Sequence, residues 1–153
     1  MSWSLQITNG DLSYGTNGLN TATGSSKLVQ DLTCCILEPM GTDELHPEFG
    51  SLIEGGIDPN GNVQPSLIGG PNDQTSATFI QAEIQRICTN HQRRQIQRNQ
   101  NDLAVYGTST LTASEILLEV SNIDLQPIET ALMVGITLSV GNGQTTLSTL
   151  LTP

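Results

Sequence analysis

The chain carries little charge, and positive charge is the scarcer sign. Only 13% of its 153 residues are charged, and 5 lysines and arginines stand against 15 acidic residues, a net charge of −10. A nucleic-acid partner needs cations to neutralise its phosphates, so this balance argues against nucleic acid as the main partner. No apolar run reaches the roughly 18 residues of a membrane-spanning helix. We therefore expect neither a nucleic-acid nor a membrane partner.

Cysteine is also scarce, with 3 residues of which 2 are adjacent. An odd number of cysteines, two of them adjacent in sequence, does not indicate a disulfide framework. The first residues lack the basic stretch and the apolar segment of a secretory signal. We therefore expect the chain to be made and folded in a reducing cytoplasm. Uncharged polar residues are abundant instead: Ser, Thr, Asn and Gln make up 54 of the 153 residues.

The first third of the chain predicts a β-hairpin followed by a helix. Alternating residues flank Asn9-Gly10 over residues 3–14, and Asn-Gly favours the tight turn of a hairpin. Residues 15–25 are rich in Gly, Thr, Asn and Ser and predict a loop. Residues 26–38 predict a helix that ends before Pro39. The predicted buried face of this helix consists of Leu28, Leu32, Cys35 and Ile36.

The middle of the chain predicts a long loop and a second helix. No period is sustained from residue 40 to residue 76, and residues 54–75 are crowded with Gly, Pro, Asn and Asp. Residues 77–100 predict a helix whose apolar face covers only its first half. Residues 89–101 form a polar, basic extension, which either projects into solvent or meets a partner.

The last third predicts antiparallel strands over residues 115–123, 132–140 and 145–151, because apolar and polar residues alternate there. Residues 128–151 are expected to form a β-hairpin platform. With no internal repeat and no linker in view, the whole chain 1–153 is predicted to be one α+β domain.

Candidate catalytic and metal-binding residues are few. Glu38, Glu44 and Glu48 are close enough in sequence to suggest a glycosidase pair, but a solvated acidic loop explains them better. Phosphate-binding glycine motifs are absent, and the loop after Asp58 departs from the calcium-loop pattern. The cysteines fit helix packing, and the two histidines are isolated. We expect no catalytic residue, no metal site and no cofactor.

Two features suggest a protein interface. Four of the five cations lie within thirteen residues that contain no acid, namely Arg86, Arg93, Arg94 and Arg98. They either complement the end of a helix or form a docking face for an acidic protein surface. The second feature is the last strand-like run, which could accept a strand from another chain at a sheet edge. Its candidate residues are Thr145, Leu147, Thr149 and Leu151.

Four short motifs also occur in a fixed order. They are Asn9-Gly10-Asp11-Leu12, Gln30-Asp31-Leu32, Glu38-Pro39-x-Gly41 and Pro47-x-Phe49-Gly50-Ser51. In this order they resemble the baseplate wedge, or sheath-initiator, family of contractile-tailed bacteriophages and related contractile injection systems. The resemblance covers residues 7–52, and beyond them only the layout of a helix and a β-hairpin agrees. A Glu-Pro-Arg triplet that the family usually carries after the second helix is missing, which puts the wedge contact of that triplet in doubt.

The resemblance implies a structural component of the virion, located in the tail baseplate. It implies that the chain docks around the tail tube, contacts baseplate wedge proteins and starts sheath assembly by pairing strands with the first ring of sheath subunits. About six copies would surround one baseplate, and the isolated chain is expected to be monomeric. Gly50 is expected to allow a tight turn after Phe49, and Pro39 and Gly41 to end the first helix.

Two alternatives remain at this point. One is an adaptor module that makes no sheath contact, and the other is a lysozyme-like cell-wall hydrolase. For the structural role, we expect a chain without residues 144–153 to fold but not to nucleate sheath. Charge reversal at Arg93 and Arg94 is expected to weaken baseplate docking.

Overall fold

The fold was analysed in a computed structural model, which describes residues 2–68, 74–129 and 131–152. It is an α+β domain with two helices and several antiparallel strand pairs, as predicted. The elements follow one another as β1 (Ser4–Leu5), β2 (Ile7–Thr8), β3 (Asp11–Leu12), β4 (Tyr14–Gly15), β5 (Gly18–Leu19), β6 (Thr21–Ala22), α1 (Gly24–Leu37), β7 (Pro39–Met40), β8 (Ser51–Ile57), β9 (Val63–Gln64), α2 (Gln74–Tyr106), β10 (Leu117–Ile128), β11 (Ala131–Val140) and β12 (Gly143–Leu151).

The N-terminal hairpin predicted over 3–14 is confirmed only around its turn, where β2 pairs with β3, and it forms part of a larger module. Asn9 and Gly10 have φ values of 54° and 82°, as the predicted turn requires. The expected loop over 15–25 is wrong, because β5 pairs with β4 and β6 pairs with β1. The pairs β1-β6, β2-β3 and β4-β5 are joined by a cycle of three backbone hydrogen bonds. The residues of this cycle are spaced seven apart in the sequence. In this cycle Gln6 donates to Asn20, Ser13 to Gln6 and Asn20 to Ser13.

The module corrects the expectation that the chain has no internal repeat. Leucine precedes each residue of the cycle, and Leu5, Leu12 and Leu19 are exposed to nearly the same degree, 38%, 39% and 43%. The three segments therefore occupy equivalent positions. The side chain of Gln30 ties the module to α1, because it accepts a hydrogen bond from the Ile7 amide at 2.8 Å and donates one to the Leu5 carbonyl at 2.8 Å.

The predicted long loop over 54–75 is wrong at its start and also at its end, where residues 74 and 75 belong to α2. Residues 54–57 belong to β8, residues 63–64 form β9, and residues 69–73 lie outside the described part of the chain. The glycine pair within β8 does not form a turn. It lets the backbone of β8 approach that of β7 closely. A Cβ at Gly56 would lie 2.3 Å from the Met40 carbonyl oxygen, so only glycine lets β8 pair with β7 here.

The second helix is longer than its apolar face predicts. The 89–101 extension is helical and belongs to α2, which continues to Tyr106. The amide of Gly107 then donates to the Leu103 carbonyl and closes the last turn.

The C-terminal strands form one antiparallel sheet in the order β10-β11-β12. Its inward residues include the alternating Val134, Ile136, Leu138 and Val140, as the sequence predicts. The sheet and the two helices share one hydrophobic core, in which α1 packs against β8, β12 and α2, and α2 packs against β10 and β8. The simple alternation predicted over residues 115–123 is wrong in β10, where the register shifts between Leu117 and Glu119 and again between Val120 and Asn122, and where Leu117 is buried but Leu118 is exposed.

Candidate protein-protein interface

One edge of the C-terminal sheet is open. β12 pairs with β11 over nine residues without a register shift. On its other side, no described residue forms a backbone hydrogen bond with it. The strand contains no charged residue and no proline. Natural edge strands usually carry such features to prevent pairing with another chain, so β12 is an edge that can accept a strand.

The turn before β12 determines which backbone groups face outward. Val140 pairs with Gly143 across a two-residue turn, and this pair must exchange both of its hydrogen bonds. Hydrogen-bonded pairs alternate along an antiparallel ladder. The amides and carbonyls of Thr146 and Ser148 therefore point away from β11, toward the open edge.

The opposite edge of the sheet is closed. Gln95 donates to the Glu115 carbonyl at 2.6 Å and accepts from the Leu117 amide at 2.9 Å, while Gln92 donates to the Leu118 carbonyl at 2.5 Å. These glutamines of α2 take the place of a neighbouring strand at the start of β10. Further along, register shifts and Pro127 interrupt the edge.

The predicted interface residues of β12 divide into two pairs. Leu147 and Leu151 are buried in the core, at 1% and 0% exposure. Thr145 and Thr149 are half-buried. A deletion of 144–153 removes these two buried leucines, so we now expect it to destabilise the fold as well as the interface. A further strand at this edge would therefore pair with the backbone of β12 and not with these four side chains.

Three of the four clustered arginines are engaged within the fold. Arg86 bonds both carboxylate oxygens of the buried Glu83 and the Gly50 carbonyl. Arg94 forms an ion pair with Glu48 at 2.9 Å, and its guanidinium lies 5.5 Å from the centre of the Phe49 ring. These contacts join α2 to the segment between α1 and β8.

The remaining two arginines differ from each other. Arg98 donates to Ser2 at 3.3 Å and to Thr110 at 3.1 Å. Arg93 is exposed, and among the described residues its side chain bonds only Asn90. Baseplate docking through the arginines stays a prediction, and Arg93 is the member of the set whose charge is most available to a partner.

Three of the motif residues, Glu38, Pro39 and Gly50, lie together where α1 ends. Gly50 has φ +91°, and a Cβ there would lie 2.6 Å from the Glu38 carbonyl oxygen. The turn after Phe49 that the sequence predicts is therefore present. Pro39 opens β7, and Gly41 follows it with φ +80°. Asp11 accepts a hydrogen bond from the Leu12 amide at 2.7 Å, and Pro47 lies in the exposed loop before Phe49.

The three glutamates considered for catalysis have separate environments. Glu38 accepts from Thr42 at 3.1 Å, and Glu44 is exposed. A hydrogen bond from its own backbone amide and the bond from Arg94 lower the pKa of Glu48. A lowered pKa keeps Glu48 ionised, whereas a general acid needs a raised one.

Cys35, Cys88 and His91 lie between the helices. Burial raises the pKa of Cys35 to about 11 and that of Cys88 to about 12, so both thiols are protonated at neutral pH. Burial is also the main cause that lowers the pKa of His91, whose Nε2 lies 3.1 Å from Gln95. No group of three or more metal-binding side chains occurs within residues 2–68, 74–129 and 131–152.

A groove of about 860 Å³ lies next to the start of β12. One side is the flank of α1, another is the N-terminal module, and Thr145 and Thr146 contribute from β12. Nothing in the sequence pattern predicts this groove, because its polar lining residues look like ordinary surface.

The functional side chains that the sequence analysis missed are glutamines. Gln30, Gln92 and Gln95 hydrogen-bond backbone groups of strand segments. A spacing of three residues between Gln92 and Gln95 places them on one face of α2, and that spacing was the available signal.

Comparison of the chain with protein-family models, with curated proteins and with solved structures found no match. Neither helix, over its described residues, is long and apolar enough to cross a membrane.

Proposed function

We propose that this protein is a structural component of a contractile tail baseplate that initiates sheath assembly. In this role β12 pairs with a strand of the first ring of sheath subunits. The N-terminal module and the two helices form the body that docks among baseplate wedge proteins, around the tail tube. The location is the virion, and the role requires no catalysis and no cofactor.

The observation that carries the proposal is the contrast between the two sheet edges. The β10 edge is closed by glutamines, register shifts and a proline, whereas the β12 edge is regular, uncharged and open. β11 is the central strand, so β12 is the member of the 128–151 hairpin that can extend the sheet. Backbone pairing suits a contractile sheath, because ladder hydrogen bonds persist while side-chain contacts change.

The motif order of residues 7–52 supports the proposal independently of the edge. Two of the motifs have structural roles that suit a rigid docking body. Gln30 joins the N-terminal module to α1, and Gly50 allows the tight return from α1 into β8.

The same edge would also serve an adaptor that pairs with a strand of another protein. Sheath polymerisation distinguishes the two functions. Purified sheath subunits are added to tube-bearing baseplates assembled with or without this chain. Sheath growth that depends on the chain is the expected result. Equal growth without the chain would contradict the initiator function and favour the adaptor.

A further inference from the structure

One flank of α1 lies beside the open edge of the C-terminal sheet. The buried α1 residues Leu28, Leu32 and Ile36 belong to the core, and among the strands of the C-terminal sheet α1 packs mainly against β12, the strand at the open edge. This flank lines the 860 Å³ groove. The flank consists of Ser25, Ser26, Val29, Gln30, Thr33, Cys34 and Leu37. Val29 and Leu37 are apolar, and the side chain of Leu37 is 43% exposed.

A fourth strand would fill this space. Strands in a sheet lie about 4.8 Å apart, so a strand added to β12 would lie over the exposed flank of α1. Thr146 lines the groove and points its backbone groups toward the open edge. Every second side chain of the added strand would face α1. The groove therefore offers both a backbone ladder and a surface for side chains.

The lining also determines which side chains fit. Glu38 is the one ionisable carboxylate among the lining residues, and none of the ion pairs of the described chain includes it. The rest of the lining is uncharged at neutral pH, and the chain as a whole has a net charge of −10. Charge complementarity favours a strand with a basic residue near Glu38 and disfavours an acidic one.

We propose that this groove binds an extended segment of another protein as a fourth strand beside β12. The segment has uncharged side chains toward α1 and a basic side chain at Glu38. The inference rests on the proposed strand pairing of β12, and it adds the place and the chemistry of the segment that is recognised.

Cys34 provides a direct reporter of the groove. It lines the groove and is half-buried, whereas Cys35 and Cys88 are buried in the core. Alkylation of Cys34 by N-ethylmaleimide can therefore be followed by mass spectrometry in the wild-type chain. When nine-tenths of the chain is occupied, alkylation should slow about tenfold, because only the free chain reacts.

The first arm of the experiment compares the free chain with the chain in sheath-bearing tails. Protection of Cys34 in the tails is the expected result. If sheath growth depends on the chain but Cys34 reacts as fast as in the free protein, the groove is not the binding place, and strand pairing at β12 survives.

The second arm does not depend on sheath. Two designed peptides of about ten residues alternate Thr and Val, and one ends in Lys where the other ends in Glu. The Lys peptide should protect Cys34 more strongly than the Glu peptide. Glu38→Gln should abolish that difference, and Glu44→Gln should keep it. Equal protection by both peptides, or protection by neither, would overturn the proposal.

A blocking variant completes the test. Ser26→Trp places a large side chain in the groove, and Gln81→Trp places one on the exposed face of α2 as the matched control. Both variants should unfold at the temperature of the wild type. Only Ser26→Trp should prevent protection of Cys34 by the Lys peptide, and unaltered protection in that variant would contradict the proposed location.

Discussion

The Oε1 atom of Gln95 accepts a 2.9 Å hydrogen bond from the backbone amide of Leu117. A side chain of α2 thus satisfies the backbone amide of the first residue of β10, which would otherwise need a hydrogen bond with a neighbouring strand. The Gln95 amide nitrogen donates at the same time to the Glu115 carbonyl. This relationship gives the polar half of α2 a contact with the sheet and closes the start of the β10 edge.

Replacement of Gln95 should therefore destabilise the fold. Gln95→Ala leaves the Leu117 amide and the Glu115 carbonyl without their partner, and we expect a loss of about 1–3 kcal/mol in the free energy of unfolding. Gln97→Ala, on the exposed side of α2, should change it by less than about 0.5 kcal/mol. Urea unfolding measures both, and equal values for the two variants would contradict the role of Gln95.

The buried leucines of β12 should contribute to stability and not to a partner surface. Leu147→Ala removes a side chain with 1% exposure and should cost about 2–5 kcal/mol. Leu150→Ala, at an exposed position of the same strand, is the control and should cost less than about 1 kcal/mol. Thermal unfolding of the purified chains distinguishes them, and a small effect at Leu147 would show that β12 is not part of the core.

Arg86 and Arg93 should behave differently despite their proximity in sequence. Arg86→Ala leaves the buried carboxylate of Glu83 with the Leu52 amide alone and should cost about 3 kcal/mol. Arg93→Ala should leave the free energy of unfolding within about 0.5 kcal/mol of the wild type. If Arg93→Glu also leaves assembly into baseplates unchanged, the arginines act only within the fold.

Stability should fall as the pH drops through the range in which free histidine titrates. Burial lowers the pKa of His91 below its ordinary value of 6.5, although Asp31 nearby opposes this and Lys27 and Arg94 add to it. Between the ordinary pKa of histidine and the lower pKa of folded His91, the unfolded chain binds a proton that the folded chain does not. Protonation of His91 therefore favours unfolding in this pH range. The stability that neutral His91 provides is present above the ordinary pKa and is lost below it.

The pH effect can be measured as the change in melting temperature between about pH 7.5 and about pH 5.5. The wild type and His46→Gln should both show a decrease, because His46 is exposed. His91→Gln should show a smaller one. A decrease of the same size in His91→Gln would assign the effect to other groups.

The sequence predicts those elements whose pattern is local. The Asn9-Gly10 turn, the buried face of α1 and the alternation of β11 each follow from residues close together in the chain. The exceptions depend on distant partners. From the sequence, Gly56 is typical of a loop, but in the fold it lies against the Met40 carbonyl. The second half of α2 has the composition of a solvent-exposed segment, but in the fold its glutamines hydrogen-bond β10.

The candidate interface was predictable only in outline. The alternating run 145–151 indicates a strand, but its position at an edge depends on which strands pair with it, and this is a property of the whole sheet. The groove beside β12 arises from three parts of the chain that are far apart in sequence.

One substitution tests the central claim most directly. Thr146→Pro removes an amide that points toward the open edge and leaves the ladder between β11 and β12 intact, whereas Thr146→Val changes the side chain but keeps the amide. Sheath polymerisation is measured on baseplates that carry each variant, after thermal unfolding has shown that both are folded. The account predicts sheath growth with Thr146→Val and loss of growth with Thr146→Pro. Normal growth with a folded Thr146→Pro chain would contradict strand pairing at β12.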